Sequence, residues 1–327
     1  MSILDMAAQN LLTPMILFFV LGVGAGLLRS DLEIPEAITK ALSLYLMFAI
    51  GFKGGTALAG QASFALLAGL AAAVALSFLI PVLAFGLVRA LTALDRATAA
   101  AVAAHYGSVS VVTFVTATEF LRQLAIPYEG YLVAMMAAME TPAIVTGLLL
   151  ARRGGLRDPA GRRTTQRQLM REVLLNGSVV LLIGSFLAGW ATAARGAALL
   201  EPFTGGPFNG ILCLFLLDMG LLTARQFAGA ATLRPAVIGF ALYMPPINGA
   251  IGLGVALLLG LDVGGAALLT TLCASASYIA VPAAMRLALP QAQPAIYLTL
   301  SLAITFPFNV MVGIPLYVAA ARYMLGG

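Results

Sequence analysis

Long apolar stretches alternate with short polar segments along almost the whole chain. Each stretch has about 20 residues or more, which is the length that a helix needs to cross a bilayer. Lipid offers no hydrogen-bond partner to an open backbone, so each stretch is predicted to be a helix. The pattern predicts ten spans, at residues 8–28, 37–59, 63–88, 97–121, 128–151, 173–194, 206–228, 235–259, 263–286 and 292–321.

The composition supports this interpretation. Of the 327 residues, 61% are hydrophobic and only 9% are charged. A soluble domain of this size cannot bury so much apolar surface. The segments rich in Ala, Gly and Leu also lack the alternation of a membrane barrel. The expected fold class is therefore an all-α polytopic membrane protein.

The basic residues predict the topology. Seven arginines crowd the segment 152–172, which we expect to be a cytoplasmic linker by the positive-inside rule. Ten spans then put both termini outside, with fourteen basic residues on the inside and only Arg122, Arg195 and Arg322 outside. The net charge of +5 thus reflects topology and not a nucleic-acid partner. Lys53 lies near the outer end of the second span, where it either snorkels to the interface or neutralises Glu140 or Asp218.

Two serine-rich interruptions occur within apolar helix patterns. Gly107-Ser108 and Ala276-Ser277 are 169 residues apart, and the same offset pairs Gly51 with Gly220 and Glu140 with Asn309. Five spans precede the linker and five follow it, so the halves run in opposite directions. The sequence therefore predicts two inverted repeats, 1–151 and 173–327, with discontinuous helices that cross near the midplane.

The interruptions are candidate binding sites. Gly107 can adopt torsions that unwind a helix, and Pro282 cannot donate to the preceding turn. The exposed N–H groups of a half-helix, with serine hydroxyls, suit a small anion. Carbonyls and further hydroxyls suit a hard cation such as Na⁺. The alternative is that Gly and Ser only allow close packing of helices.

Ionisable residues inside spans are further candidates, because their burial in a membrane is costly. Glu140 and its repeat partner Asn309 are expected to support a cation site or to brace the broken helices. Asp218 is a second candidate for cation contact. Alternatively, Glu140 and Asp218 only hydrogen-bond to neighbouring helices. His105 adjoins the first interruption, where it either titrates or is simply packed.

The chain lacks the sequence signatures of ATP binding, of a nucleophile elbow and of a zinc helix. We therefore expect neither an enzyme nor a bound cofactor. Transport driven by an ion gradient is the function that this pattern favours.

Six segments in collinear order resemble the sodium-dependent bicarbonate transporter family of cyanobacteria, the SbtA type. The similarity extends from about residue 11 to about residue 318. The segments are SDLEIP at 30–35, LMFAIGFKGG at 46–55, YGSVSVVTF at 106–114, LLDMGL at 216–221, ASASYIAVPAAMR at 274–286 and TFPFN at 305–309.

This resemblance implies a homotrimer in the bacterial inner membrane that imports bicarbonate together with Na⁺ by alternating access. It also implies a core domain that holds the broken helices and moves against a scaffold or gate domain, with both repeats contributing to each domain. A further implication is a PII-like regulator on the cytoplasmic face, although the linker is short and strongly basic here. His105 is bulkier and more polar than the residue that the family pattern leads us to expect.

Carried onto this chain, the resemblance predicts two sets of site residues. The substrate would contact Gly107, Ser108, Ser110, Ala274, Ser275 and Ser277. Na⁺ would be bound or supported by Tyr106, Thr113, Glu140, Asp218 and Asn309. Two alternatives are a Na⁺ symporter for another small anion, such as a short carboxylate, and a membrane sensor that binds its ligand without transport.

Overall fold

The structure, a computed structural model, describes residues 11–59, 64–152, 177–230 and 233–326. These residues form helices joined by short connections. The helices are α1 Pro14–Leu27, α2 Glu36–Leu58, α3 Phe64–Leu91, α4 Arg96–Gly107, α5 Val111–Gln123, α6 Tyr131–Arg152, α7 Gly177–Thr204, α8 Phe208–Ala230, α9 Pro235–Leu258, α10 Val263–Ala274, α11 Ala280–Ala288 and α12 Pro294–Leu325.

Eight helices in the described part of the chain are long and apolar enough to cross a membrane. One of these, Arg96–Gln123, consists of α4 and α5 with the interruption between them. Two shorter helices, α1 and α10, are also apolar. The chain is therefore an all-helical polytopic membrane protein, as predicted, whereas the count of ten spans stays a prediction. Most of the linker 152–172 lies outside the described residues, as do residues 1–10.

Aspartate caps fix the starts of the two helices that lead into the interruptions. The Asp95 carboxylate accepts from the Thr98 N–H at 2.9 Å, and the Asp262 carboxylate accepts from the Gly265 N–H at 2.6 Å. Such caps satisfy N–H groups that have no partner within the helix. Both α4 and α10 then run for 12 residues.

Close packing links the two halves of the chain in a reciprocal way. Helix α2 packs on α7, and α8 packs on α1. A Cβ atom on Gly51 would overlap the Leu182 carbonyl of α7, and a Cβ atom on Gly220 would overlap the Phe19 carbonyl of α1. The two glycines that the sequence paired thus have the same role, which is to let two backbones approach closely.

Two of the long helices are not regular. In α7, Ala193 has a φ of 48°, and a kink occurs there, where the predicted span 173–194 was expected to end. In α12, two π-helical segments, Thr299–Thr305 and Asn309–Gly313, flank the short turn Phe306–Phe308. Such π segments are rare and often lie at functional sites.

Candidate functional site

Both predicted interruptions are real breaks in helices. After α4, Ser108 is extended (φ −88°, ψ 171°), and α5 begins at Val111. After α10, Ser275 is extended (φ −80°, ψ 165°), and α11 begins at Ala280. Residues 108–110 of the first break and 275–278 of the second are buried, whereas Ile279 is exposed.

The two breaks do not keep the offset of 169 residues at every position. The residues that directly follow the first half-helices are Ser108 and Ser275, not Ser108 and Ser277. The second half-helices, which begin at Val111 and Ala280, do keep the offset of 169. The physical reason is that the second connection, 275–279, is two residues longer than the first, 108–110.

Gly107 has a different role from the one predicted. It remains the last residue of α4, and its φ is not in the left-handed region. A Cβ atom at this position would overlap the Pro81 ring of α3. Glycine is therefore required for close packing and does not unwind the helix. Pro282 lies in the first turn of α11, where the missing N–H costs no helical hydrogen bond.

Hydrogen bonds join the two breaks directly. The Ser277 N–H donates to the His105 carbonyl at 2.8 Å. The Ser110 N–H donates to the Ser275 hydroxyl at 2.9 Å, and this hydroxyl donates to the Leu272 carbonyl at 2.8 Å. Backbone groups that each break removes from a helix are thus satisfied by the other break.

Two asparagines bind carbonyls at the ends of the half-helices. Asn309 donates to the Ala274 carbonyl at 2.8 Å and accepts from the Tyr317 hydroxyl at 2.9 Å. Asn248 donates to the Tyr106 carbonyl at 3.2 Å. Asn309 therefore braces a broken helix, which is one of the roles predicted for it. Asn248 has the same role, although it was not singled out as a candidate from the sequence.

Glu140 lies beside a local opening in α6. The Ser77 hydroxyl of α3 donates to the Met139 carbonyl at 2.5 Å and accepts from the Ala143 N–H at 3.1 Å. It thereby bridges two groups that bond directly in a regular helix, next to Pro142. The Glu140 carbonyl accepts from the Ser108 hydroxyl at 3.2 Å, so α6 is tied to the first break.

A small cavity with room for about one water lies between the breaks. Ser110, Ser277 and Glu140 line it among the predicted residues. Glu140 is 3% exposed, and its Oε2 atom has no hydrogen-bond partner in the described part of the chain. Sequence reasoning missed the other lining residues, which carry no polar signal except Tyr278: Met47, Val109, Val111, Tyr278 and Ile279.

The two half-helices that start at the breaks are not equivalent. The N-terminus of α5 is capped by its own Ser110 hydroxyl, which accepts from the Thr113 N–H at 3.2 Å. Among the described residues, no side chain caps the N-terminus of α11, where Ile279 precedes the helix. The positive end of α11, beside Ser277 and Tyr278, is therefore the one available to an anion.

The remaining predicted residues do not belong to the lining of the cavity. The hydroxyls of Tyr106 and Thr305 form a hydrogen bond of 2.6 Å, and the Thr113 N–H donates to the Ser110 hydroxyl. Asp218 accepts from Thr39 at 2.7 Å and does not line the cavity. His105 binds the Ala101 carbonyl through Nδ1 at 2.7 Å and packs against the Tyr297 ring. The candidate site therefore centres on Ser110, Ser277 and Glu140, whereas Asp218 lies away from it.

A model of one protein family matches residues 14–322, which is nearly the whole chain. Its description is Na⁺-dependent bicarbonate transporter superfamily. This match confirms the resemblance that the six segments indicated. A search of the curated proteins gives no match.

Proposed function

Because the chain belongs to the Na⁺-dependent bicarbonate transporter superfamily, we propose that it is a symporter that imports bicarbonate together with Na⁺. The observation that carries this proposal is the buried cavity between the two breaks. Ser110, Ser277 and Glu140 line it beside the start of α11, and the Glu140 Oε2 atom has no hydrogen-bond partner in the described part of the chain. Few other combinations suit an anion and a hard cation at the same time.

The cation would bind at Glu140. A buried carboxylate oxygen without a partner is costly, and Na⁺ bound there would offset this cost. Ser110 and Ser277 line the same cavity, and their hydroxyls would supply neutral oxygen ligands. This assignment deepens the predicted role of Glu140 and leaves Asp218, which binds Thr39, outside the cation site.

The anion would bind at the start of α11. Its free N–H groups carry partial positive charge, and the Ser277 hydroxyl can donate to a bicarbonate oxygen. The nearby Glu140 carboxylate would repel an anion, so the anion binds well only when Na⁺ lies between them. At an effective dielectric constant near 20, two unit charges about 4 Å apart interact by about 4 kcal/mol. This mutual requirement couples the two ions.

Transport would follow alternating access. The reciprocal packing of α2 on α7 and of α8 on α1 supports an inverted repeat with a scaffold drawn from both halves. The breaks would belong to the moving core domain. From the family resemblance we also propose that the protein is a homotrimer in the bacterial inner membrane. The linker would be cytoplasmic, and a PII-like regulator would bind on that face.

Uptake into proteoliposomes tests the function. Purified protein is reconstituted, and labelled bicarbonate uptake is measured with an inward Na⁺ gradient and with an equal K⁺ gradient. We expect uptake only with Na⁺ and no inhibition by an excess of acetate or formate. Inhibition by these short carboxylates would point to another small anion as substrate. Ligand-dependent stabilisation without any flux would point to a sensor.

A further inference from the structure

A large cavity of about 920 Å³ lies on the side of the molecule where α5 ends and α6 begins. We call it the vestibule. Helix α6 runs away from this side and ends at Arg152, so the vestibule lies opposite the linker. Its lining includes four charged side chains, namely Lys53, Glu119, Arg122 and Glu201.

Two of the four charges neutralise each other. Arg122 donates to both oxygens of Glu119, at 2.8 and 2.5 Å, in a bidentate pair. Asn209, with its amide oriented to suit both neighbours, donates to Glu119 at 3.2 Å and accepts from Arg122 at 3.1 Å. The Glu119 side chain is only 4% exposed, whereas the Arg122 side chain is 64% exposed, and the pair leaves little net charge at this place.

Lys53 is different. Among the described residues, no carboxylate lies within 4.0 Å of its ammonium group. The Nζ atom lies 4.8 Å from the centre of the Phe208 ring, an attraction that leaves its N–H groups available to a ligand. Glu201 is the main carboxylate that attracts it from a greater distance.

The vestibule leads towards the site between the breaks. Met47 lines the small cavity at the breaks, and Ile50 and Lys53 line the vestibule at steps of three residues along α2. Six residues of helix correspond to about 9 Å. On α5, Val111 lines the small cavity, and Thr118 and Glu119 line the vestibule two turns further on. The two cavities are thus consecutive along the same pair of helices.

We propose that Lys53 forms an entry site where the transported anion, a small oxyanion with a single negative charge, binds before it reaches the breaks. Glu201 competes with the anion for the ammonium group and so keeps this binding weak. The proposal rests on the proposed function, because it assumes that an anion passes through the vestibule. A weak site is what transport requires, since the anion must leave it again.

The kinetics of uptake test this proposal. The initial rate of Na⁺-driven bicarbonate uptake is measured against bicarbonate concentration for the wild type and for Lys53→Gln, Lys53→Arg and Glu201→Gln. We expect Lys53→Gln to raise KM about threefold or more with an unchanged maximal rate, because one exposed charge interaction is lost. Glu201→Gln should lower KM, and Lys53→Arg should stay close to the wild type. Lys40→Gln, an exposed change at the other end of α2, is the matched control and should have no effect.

Any other outcome would contradict the proposed entry site at Lys53. An unchanged KM in Lys53→Gln, or the same direction of change in Lys53→Gln and Glu201→Gln, would contradict it. Loss of uptake at saturating bicarbonate in Lys53→Gln would place Lys53 in the transport cycle instead of at its entry. If Lys53→Gln does not reach the membrane, the Glu201→Gln variant alone tests the entry site. A KM for bicarbonate in Glu201→Gln that is equal to or above the wild-type value then overturns the proposal. Absence of uptake by the wild type would overturn the proposed function itself.

Discussion

The Ser110 N–H donates to the Ser275 hydroxyl at 2.9 Å, across 165 residues of sequence. This bond connects the N-terminus of α5 to the C-terminus of α10, so the two breaks form one structure. Neither break can move far without the other unless this bond opens. The paired breaks therefore behave as a unit, which is what a shared site for two ions requires.

Ser275→Ala should destabilise the protein. The buried Ser110 N–H would lose its acceptor, which costs about 1–3 kcal/mol in the free energy of unfolding. Thermal unfolding of the purified protein in detergent measures this cost. Ser301→Ala is the control, because the buried Ser301 hydroxyl bonds only to carbonyls of its own helix, chiefly Tyr297 at 2.8 Å. Equal midpoints for the two variants would contradict a structural role for the bond between the breaks.

Gly107→Ala should also be destabilising. The added methyl group would overlap the Pro81 ring, and overpacking of this kind costs about 1–3 kcal/mol. Gly86→Ala on the same α3 helix as Pro81 meets nothing within 4 Å and should leave the unfolding midpoint unchanged or higher. The comparison uses unfolding midpoints and uptake rates. If Gly107→Ala were as stable and as active as Gly86→Ala, the close contact between Gly107 and Pro81 would not be needed for stability or transport.

Ser277→Ala and Ser108→Ala should differ in their kinetics. Ser277 lines the cavity, and its hydroxyl is the proposed donor to the anion, so the loss of this hydroxyl should raise KM for bicarbonate about tenfold. The Ser108 hydroxyl instead donates to the Glu140 carbonyl, so its loss should mainly lower stability. Uptake kinetics and unfolding midpoints separate the two effects. The same increase in KM in both variants would contradict the assignment.

The fold was largely predictable because membrane helices are encoded by local composition. The breaks were also predictable, since Gly, Ser and Pro replace the usual apolar residues there. The register was not predictable, because two extra residues in 275–279 have no compositional signature. Gly107 was misinterpreted because its constraint comes from Pro81, which is distant in sequence.

The site was predicted only in part, for the same reason. Ser110, Ser277 and Glu140 gave a clear signal as polar residues within apolar spans. Ser77 and Asn248 act through carbonyls of other helices, and only the tertiary structure brings these partners together. Asp218 gave as strong a signal as Glu140, yet it binds Thr39. A polar residue in a span therefore indicates that a partner exists but does not identify it.

Glu129→Gln should stabilise the protein at neutral pH. Glu129 lies between the spans α5 and α6, and partial burial, aided by repulsion from Asp262, raises the pKa of its carboxyl. Because the folded-state pKa is above the unfolded value of about 4.3, the favourable contribution of the protonated form is complete below that pH. It is lost as the pH rises through the folded-state pKa.

The unfolding midpoints of the wild type and Glu129→Gln should therefore coincide near pH 4 and separate towards pH 8, with the variant more stable. Glu33→Gln, at an exposed position, is the control and should follow the wild type. A difference that does not change with pH would show that ionisation of Glu129 has no part in the effect.

The central claim is that bicarbonate and Na⁺ bind together between the breaks, where the small cavity widens to hold both ions. The most direct test is uptake of radioactive Na⁺ into proteoliposomes with equal Na⁺ on both sides and an inward bicarbonate gradient. We predict that the bicarbonate gradient drives Na⁺ uptake in the wild type and fails to do so in Glu140→Gln. The account would be contradicted if Na⁺ uptake did not depend on the bicarbonate gradient. It would also be contradicted if the gradient-driven Na⁺ uptake were unchanged in Glu140→Gln.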